Sequence, residues 1–174
     1  ENLLQLSRPR ETRTEPADLQ ALAPGVQDFP RADAEQRGIA LTHAVPPRTW
    51  ALGAVDPLRQ ILMNLVLNAL DATPRGGQVA IGCEPGEERS VQLHVDDSGP
   101  GIAPEQLPHV FERFYRGDPA RGRGDLGAGS AGGAGLGLSI AHWIATAHGA
   151  TITVASTVPD GTAASVRFPL VSSP

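Results

Sequence analysis

Residues 57–72 read PLRQILMNLVLNALDA, and the rest of the chain is parsed around them. Leu58, Ile61, Leu62, Leu65, Val66, Ala69 and Leu70 recur at i, i+3, i+4 and i+7, the spacing of a helix with one apolar face. Pro57 suits the first turn of that helix, where a missing N–H has no partner to lose, and Asp56 is the expected N-cap. The opposite side carries Gln60, Asn64, Asn68 and Asp71 in one narrow stripe. A helix this apolar on one side must bury that side against a second layer.

Moving toward the C-terminus, Gly76 and Gly77 open a hairpin in which Val79, Ile81 and Cys83 alternate on one strand and Val91, Leu93 and Val95 on the next. A glycine-rich stretch without periodicity follows over residues 116–135, long enough to be a functional lid and predicted not to be ordered without ligand. A second helix over 136–147 ends at Gly149, and strands over 151–156 and 162–169 are separated by Asp160 and Gly161. Toward the N-terminus, residues 38–45 read as a strand. Residues 16–36 read as a helix broken at Pro24–Gly25 and at Pro30. Leu3, Leu4 and Leu6 have helical spacing, so residues 1–14 are expected to be the end of a helix and a linker, with one domain over 15–174. The fold class these elements imply is α+β: a two-layer sandwich whose mixed, mostly antiparallel sheet is covered by helices on one face.

The composition removes several classes of function. The chain has 174 residues and a net charge of -5, and its 14 basic residues are all arginine. An acidic chain with scattered arginines is a poor ligand for nucleic acid. Without lysine there is no Walker A loop and no Schiff-base chemistry. The single cysteine, Cys83, excludes a disulfide framework and a cysteine zinc cluster. The apolar runs fall short of the ~18 residues of a membrane span, and no signal pattern opens the chain, so a cytoplasmic location is expected.

Four clusters could carry chemistry. Asn64 and Asn68 are two of only three asparagines, four apart inside the principal helix. They are either part of a solvated face or neutral oxygen donors suited to a magnesium ion that keeps its waters and meets phosphates. Asp97 follows an apolar strand and precedes Ser98-Gly99-Pro100-Gly101. This is good turn chemistry, and equally a carboxylate placed to accept from an exocyclic amine while glycines admit a flat ring. Phe111-Glu112-Arg113-Phe114-Tyr115-Arg116 combines core or hinge aromatics with guanidinium groups able to reach phosphate. Gly133, Gly135, Gly137 and Leu138 open the second helix, where unpaired N–H groups and the helix dipole favour phosphate. Gly127, Gly129 and Gly132 also fit G-x-G-x-x-G, but they follow no strand, so a dinucleotide fingerprint is discounted.

Taken in order, Asn64-Leu-Val-Leu-Asn68-Ala-Leu-Asp71, Asp97-Ser-Gly99-Pro-Gly101, Phe111-Glu-Arg-Phe-Tyr-Arg116 and Gly133-Ala-Gly135-Leu-Gly137-Leu138 resemble the N, first glycine, F and second glycine boxes of bacterial sensor histidine kinases. The resemblance spans residues 20–170 and is to the catalytic, ATP-binding domain of those kinases, a member of the GHKL superfamily. It implies a Bergerat-type sandwich that binds ATP and Mg2+ under a lid and transfers the γ-phosphoryl group to a histidine. By position it implies Asn68 as the metal ligand and Asn64 beside the phosphates. Asp97 would take the adenine amine, with Gly99 and Gly101 shaping the pocket and Tyr115 lining it. Arg116 would meet the terminal phosphate, and Gly133, Gly135, Gly137 and Leu138 would close over the nucleotide.

The resemblance further implies that residues 3–8 are the last turns of a dimerisation helix, and that the chain, itself monomeric, works on a separate dimerisation domain and indirectly on a response regulator. It would be cytoplasmic or the cytoplasmic part of a membrane-anchored sensor. Where many members carry Lys-Tyr, this chain has Asp71-Ala72, whose added negative charge Arg75, Arg121 or Arg123 is expected to offset. None of its five histidines, which precede Ala44, Val95, Val110, Trp143 and Gly149, is followed by an acidic residue, so the phosphoacceptor is expected elsewhere. The rival readings are a non-catalytic nucleotide-binding signalling module, an ATP hydrolase of the same superfamily, and a serine kinase sharing the pocket.

Overall fold

The computed structural model describes residues 15–47, 49–86, 90–115 and 135–169. Seven strands and three helices alternate along them. They are β1 (Glu15–Asp18), α1 (Leu19–Arg37), β2 (Ala40–Ala44), β3 (Trp50–Gly53), α2 (Val55–Ala72), β4 (Gln78–Gly86), β5 (Ser90–Asp97), α3 (Gly137–Ala147), β6 (Thr151–Thr157) and β7 (Gly161–Pro169), with a 3-10 turn at Leu107–His109. None of the helices among these residues is long and apolar enough to cross a membrane.

The main sheet runs β2-β4-β5-β7-β6. Only the β2–β4 pair is parallel; the other three pairs are antiparallel, as the alternating patterns imply. Register places Ile81, Val95, Ala164 and Val154 in one cross-strand row and Cys83, Leu93, Val166 and Ile152 in the next. Both rows face the helices. The rows between them (Gly82, His94, Ser165, Thr153) form the other face, where the His94 ring lies over Gly82. The two-layer α+β sandwich follows from this alternation.

Every apolar residue assigned to the inner face of α2 is buried, and each large one contributes ~1.5–3 kcal/mol. The start of α2 differs from the expectation. The helix begins at Val55 with Ala54 in the N-cap position and no side-chain cap. Asp56 is already helical and pairs with Arg59 at 3.1 Å. Pro57 still lies in the first turn, where it costs no backbone hydrogen bond.

The expected breaks in the first helix are also corrected, since α1 continues through Pro24, Gly25 and Pro30. Its ends are fixed from outside: Asp18 caps it by accepting from the Gln20 N–H at 2.9 Å, Gly38 closes it in the left-handed region at φ 65°, and Leu19 and Ala34 are buried. Tertiary anchoring at both ends outweighs the local cost of proline, ~3 kcal/mol in a helix interior. The β1–β3 pair was not anticipated. Four-residue strands carry too little alternation to register, yet Ala17 and Ala51 are buried and the Leu19 N–H reaches the Thr49 carbonyl at 2.9 Å.

Candidate functional site

A cleft open to solvent lies between α2, the end of β5, the start of β7 and α3. Leu65, Ala69, Val95, Ile102, Leu138 and Ala164 supply apolar walls, while Asn68, Asp97 and Thr162 are its polar members. That balance of apolar walls and a few polar groups suits a small ligand with an apolar body and a few fixed polar contacts.

Asp97 ends β5, two residues beyond the inward-facing Val95 and so on the same face, and one before the chain turns. Its Oδ1 accepts the Gly99 N–H at 2.8 Å, and the carboxylate also takes the backbone N–H of Thr162, its register partner on β7. Burial nevertheless pushes its pKa above the ordinary aspartate value, making it a weaker acid, with the Asp96 charge adding to the rise and the two N–H groups opposing it. The loop beyond is shaped by contact. A side chain on Gly99 would meet Asp97 Oδ1 at 2.7 Å and the Ala72 carbonyl at 2.8 Å, so glycine lets the loop pack against the end of α2. Gly101 adopts φ +74°, and a Cβ there would stand 2.6 Å from the Thr157 carbonyl.

Asn68 is exposed at the mouth of the cleft, at the edge of the apolar face of α2 and beside Leu65 and Ala69. Asn64, one turn earlier, is half-buried, and the start of α3 approaches it: a Cβ on Gly137 would lie 3.7 Å from its carbonyl. Among the described residues no cluster of three His, Cys, Asp or Glu could hold a metal. The amide oxygen of Asn68 is a neutral hard donor at an open mouth, of the kind a magnesium ion that keeps its waters accepts.

Gly135 and Tyr115 are neighbours. Gly135, at φ +70°, accepts the Phe114 N–H at 3.0 Å, and a Cβ on it would meet the Tyr115 carbonyl at 2.7 Å. Phe114 itself adopts φ 63°. These contacts hold the described residues Phe114 and Tyr115 against Gly135. Tyr115 is not among the cleft-lining residues; its ring lies against His109, with centroids 5.7 Å apart. Arg116, Gly133, Arg121, Arg123, the rest of the expected lid and residues 1–14 lie outside the described residues.

A cation does stand beside Asp71: Arg37 of α1, with Nη1 3.7 Å from Asp71 Oδ1. Sequence reading missed it because the two residues belong to different helices. It also missed Thr162, which reaches Asp97 only through sheet register, and the apolar walls at Leu65, Ala69, Val95 and Ala164.

The pattern of these elements is shared with known proteins. Residues 53–172 match the model of the family described as histidine kinase-, DNA gyrase B-, and HSP90-like ATPase. The sensor protein SrrB of Staphylococcus aureus is 38% identical over 140 residues, 80% of this chain and 23% of that protein. The chain thus spans about a quarter of the curated relatives it matches. Among solved structures, the mycobacterial sensor histidine kinase MprB aligns with a TM-score of 0.73 at 27% identity, covering 92% of this chain and 99% of that one. Full-length ShkA in complex with AMPPNP aligns at 0.78 with 29% identity, covering 94% and 32%.

Proposed function

Because the chain belongs to the histidine kinase-, DNA gyrase B-, and HSP90-like ATPase family, we propose that it is the ATP-binding catalytic unit of a sensor histidine kinase. It transfers the γ-phosphoryl group of ATP to a histidine on a separate dimerisation domain, from which a response regulator draws it. The carrying observation is the convergence of Asn68, Asp97 and Leu138, from three different elements, on one cleft. ShkA, a structural relative, was crystallised with AMPPNP, and the apolar cleft here, with its few polar members, supports the same class of ligand.

Asp97 accepts the exocyclic amine of adenine, and the walls at Leu65, Ile102 and Ala164 hold the ring and exclude water. Asn68 holds Mg2+, which when bound neutralises phosphate charge. The N-terminal N–H groups of α3, beside Asn64, face the phosphates. Arg116 contacts the γ-phosphate. The imidazole nitrogen of the acceptor attacks phosphorus, the bond to the β–γ bridging oxygen breaks, and ADP leaves. Positioning and charge neutralisation carry this chemistry.

The acceptor histidine is on another segment, since none of the five histidines here is followed by an acidic residue; His109 pairs with Glu112 at 2.7 Å, and His148 Nδ1 bonds the Ile144 carbonyl at 2.8 Å. Asn64 speaks against fast hydrolysis, because an amide cannot take a proton from water at neutral pH.

Titration calorimetry with ATP, with and without magnesium, tests the site. Asn68→Ala is expected to abolish the magnesium dependence, and Asp97→Asn to weaken binding by about 10–100-fold, the worth of one charged hydrogen bond. Unchanged affinity in both variants would remove the assignment. Labelled ATP supplied with a separately purified dimerisation domain tests the transfer: label appears on that domain if the chain is a kinase and on neither if it is only a binding module.

A further inference from the structure

The hydroxyl of Ser156, on β6, has a complete set of partners at the edge of the cleft. It donates to the Gly161 carbonyl at 2.7 Å, accepts the Ile102 N–H at 2.8 Å, and lies 3.0 Å from the Thr162 hydroxyl oxygen. A serine hydroxyl has one proton and two lone pairs. With the proton given to Gly161 and one lone pair to Ile102, the remaining lone pair takes the Thr162 proton. Thr162 Oγ1 is then left as an acceptor only. Register places Asp97, Thr162 and Ser156 in one row on the cleft face of the sheet, and both Ile102 and Thr162 line the cleft.

We infer that Ser156 is a positioning residue that selects the purine: it fixes the Thr162 hydroxyl as an acceptor and holds the Ile102 wall, so the base end of the cleft accepts 6-amino purines and rejects 6-oxo purines. Asp97 alone does not complete that selection. A Thr162 hydroxyl free to rotate would offer its proton to a 6-oxo group, and Ser156 removes this option by consuming the proton. The inference rests on the nucleotide-binding reading above and concerns how that site discriminates.

Calorimetry of the full chain with Mg-ATP and Mg-GTP, alongside thermal melts, tests it. The wild-type chain is expected to prefer ATP. Ser156→Ala should lower the ATP/GTP affinity ratio about tenfold, the effect of one misdirected hydrogen bond. Ser156→Thr, which keeps the hydroxyl, should retain the ratio. Thr162→Val should lower it as Ser156→Ala does, and decides the matter if Ser156→Ala does not fold. An unchanged ratio, or parallel loss of both nucleotides in Ser156→Ala, overturns the inference while leaving the nucleotide site standing. A wild-type chain that binds no ATP overturns the proposed function and this inference with it.

Discussion

Arg37 of α1 reaches across to Asp71 of α2, with Nη1 3.7 Å from Oδ1, while its Nη2 donates to the Thr73 carbonyl just past the helix end at 3.4 Å. One guanidinium thus offsets the carboxylate one turn beyond Asn68 and satisfies a carbonyl the helix leaves open. Its side chain is only 18% exposed, and it also meets Asp33 at 3.3 Å. Arg37→Ala is expected to cost ~1 kcal/mol, because Asp71 keeps part of its hydration. The melting midpoint should fall by roughly 2–4 °C, less so at high salt. An unchanged midpoint at low salt would show that the clasp carries no stability.

Asp97 should make stability and binding respond to pH in opposite directions. Burial raises its pKa above the unfolded value. Between the two values the native state therefore holds a proton that the unfolded chain has released, and Asp97's contribution to stability falls as pH rises through that window. Nucleotide binding needs the ionised acceptor, so ATP affinity should fall as pH drops from about 7 toward about 4. Calorimetric titrations and melts across this range should show both slopes, each flattened in Asp97→Asn. A slope that survives in the variant belongs to another group.

Gly101→Ala should damage the cleft from its rim. The residue adopts φ +74°, and its Cβ would stand 2.6 Å from the Thr157 carbonyl and 3.0 Å from the Thr157 carbonyl carbon. Strain and collision together are expected to cost more than ~1 kcal/mol and to weaken ATP binding, since Gly101 and Ile102 line the site. Denaturant melts and calorimetry would reveal it; a variant as stable and as tight as wild type would mean the loop yields at no cost.

Cys83 should be inert in the folded chain. It is buried on the helix-facing side of β4, and burial, with Glu84 nearby, pushes the thiol up to about 11. At pH 8 only about 0.1% is thiolate. An alkylating reagent should label the unfolded chain rapidly and the native chain slowly. Equal rates would contradict the packing of β4.

The histidines should take no phosphate from ATP when the chain is alone. Incubation with γ-labelled ATP followed by acid-lability analysis is expected to find no phosphohistidine. Acid-labile label on any of the five would place the acceptor inside this chain.

What was legible in the sequence had a local cause. The apolar stripe of α2 and the alternation of β4 and β5 predicted buried sets that match the core residue by residue, because period and burial share one geometric origin. Asn68, Asp97, Gly101 and Leu138 were named from short motifs, and they do meet at one cleft. Errors arose where local signals compete with distant ones. The prolines of α1 were read as breaks, yet packing at Leu19 and Ala34 holds the helix through them, and Asp56 looked like a cap although the helix starts one residue before it.

By itself, the chain of residues determined which faces are apolar, which turns require glycine and which side chains could serve a nucleotide, since each depends on neighbours within a few positions. Only the tertiary structure decided that Arg37 meets Asp71, that Thr162 and Ser156 stand in the same row as Asp97, and that Tyr115 rests on His109 away from the cleft wall. These relationships join residues dozens of positions apart, and they arise from strand register and helix packing, which are properties of the assembled core and of no single segment.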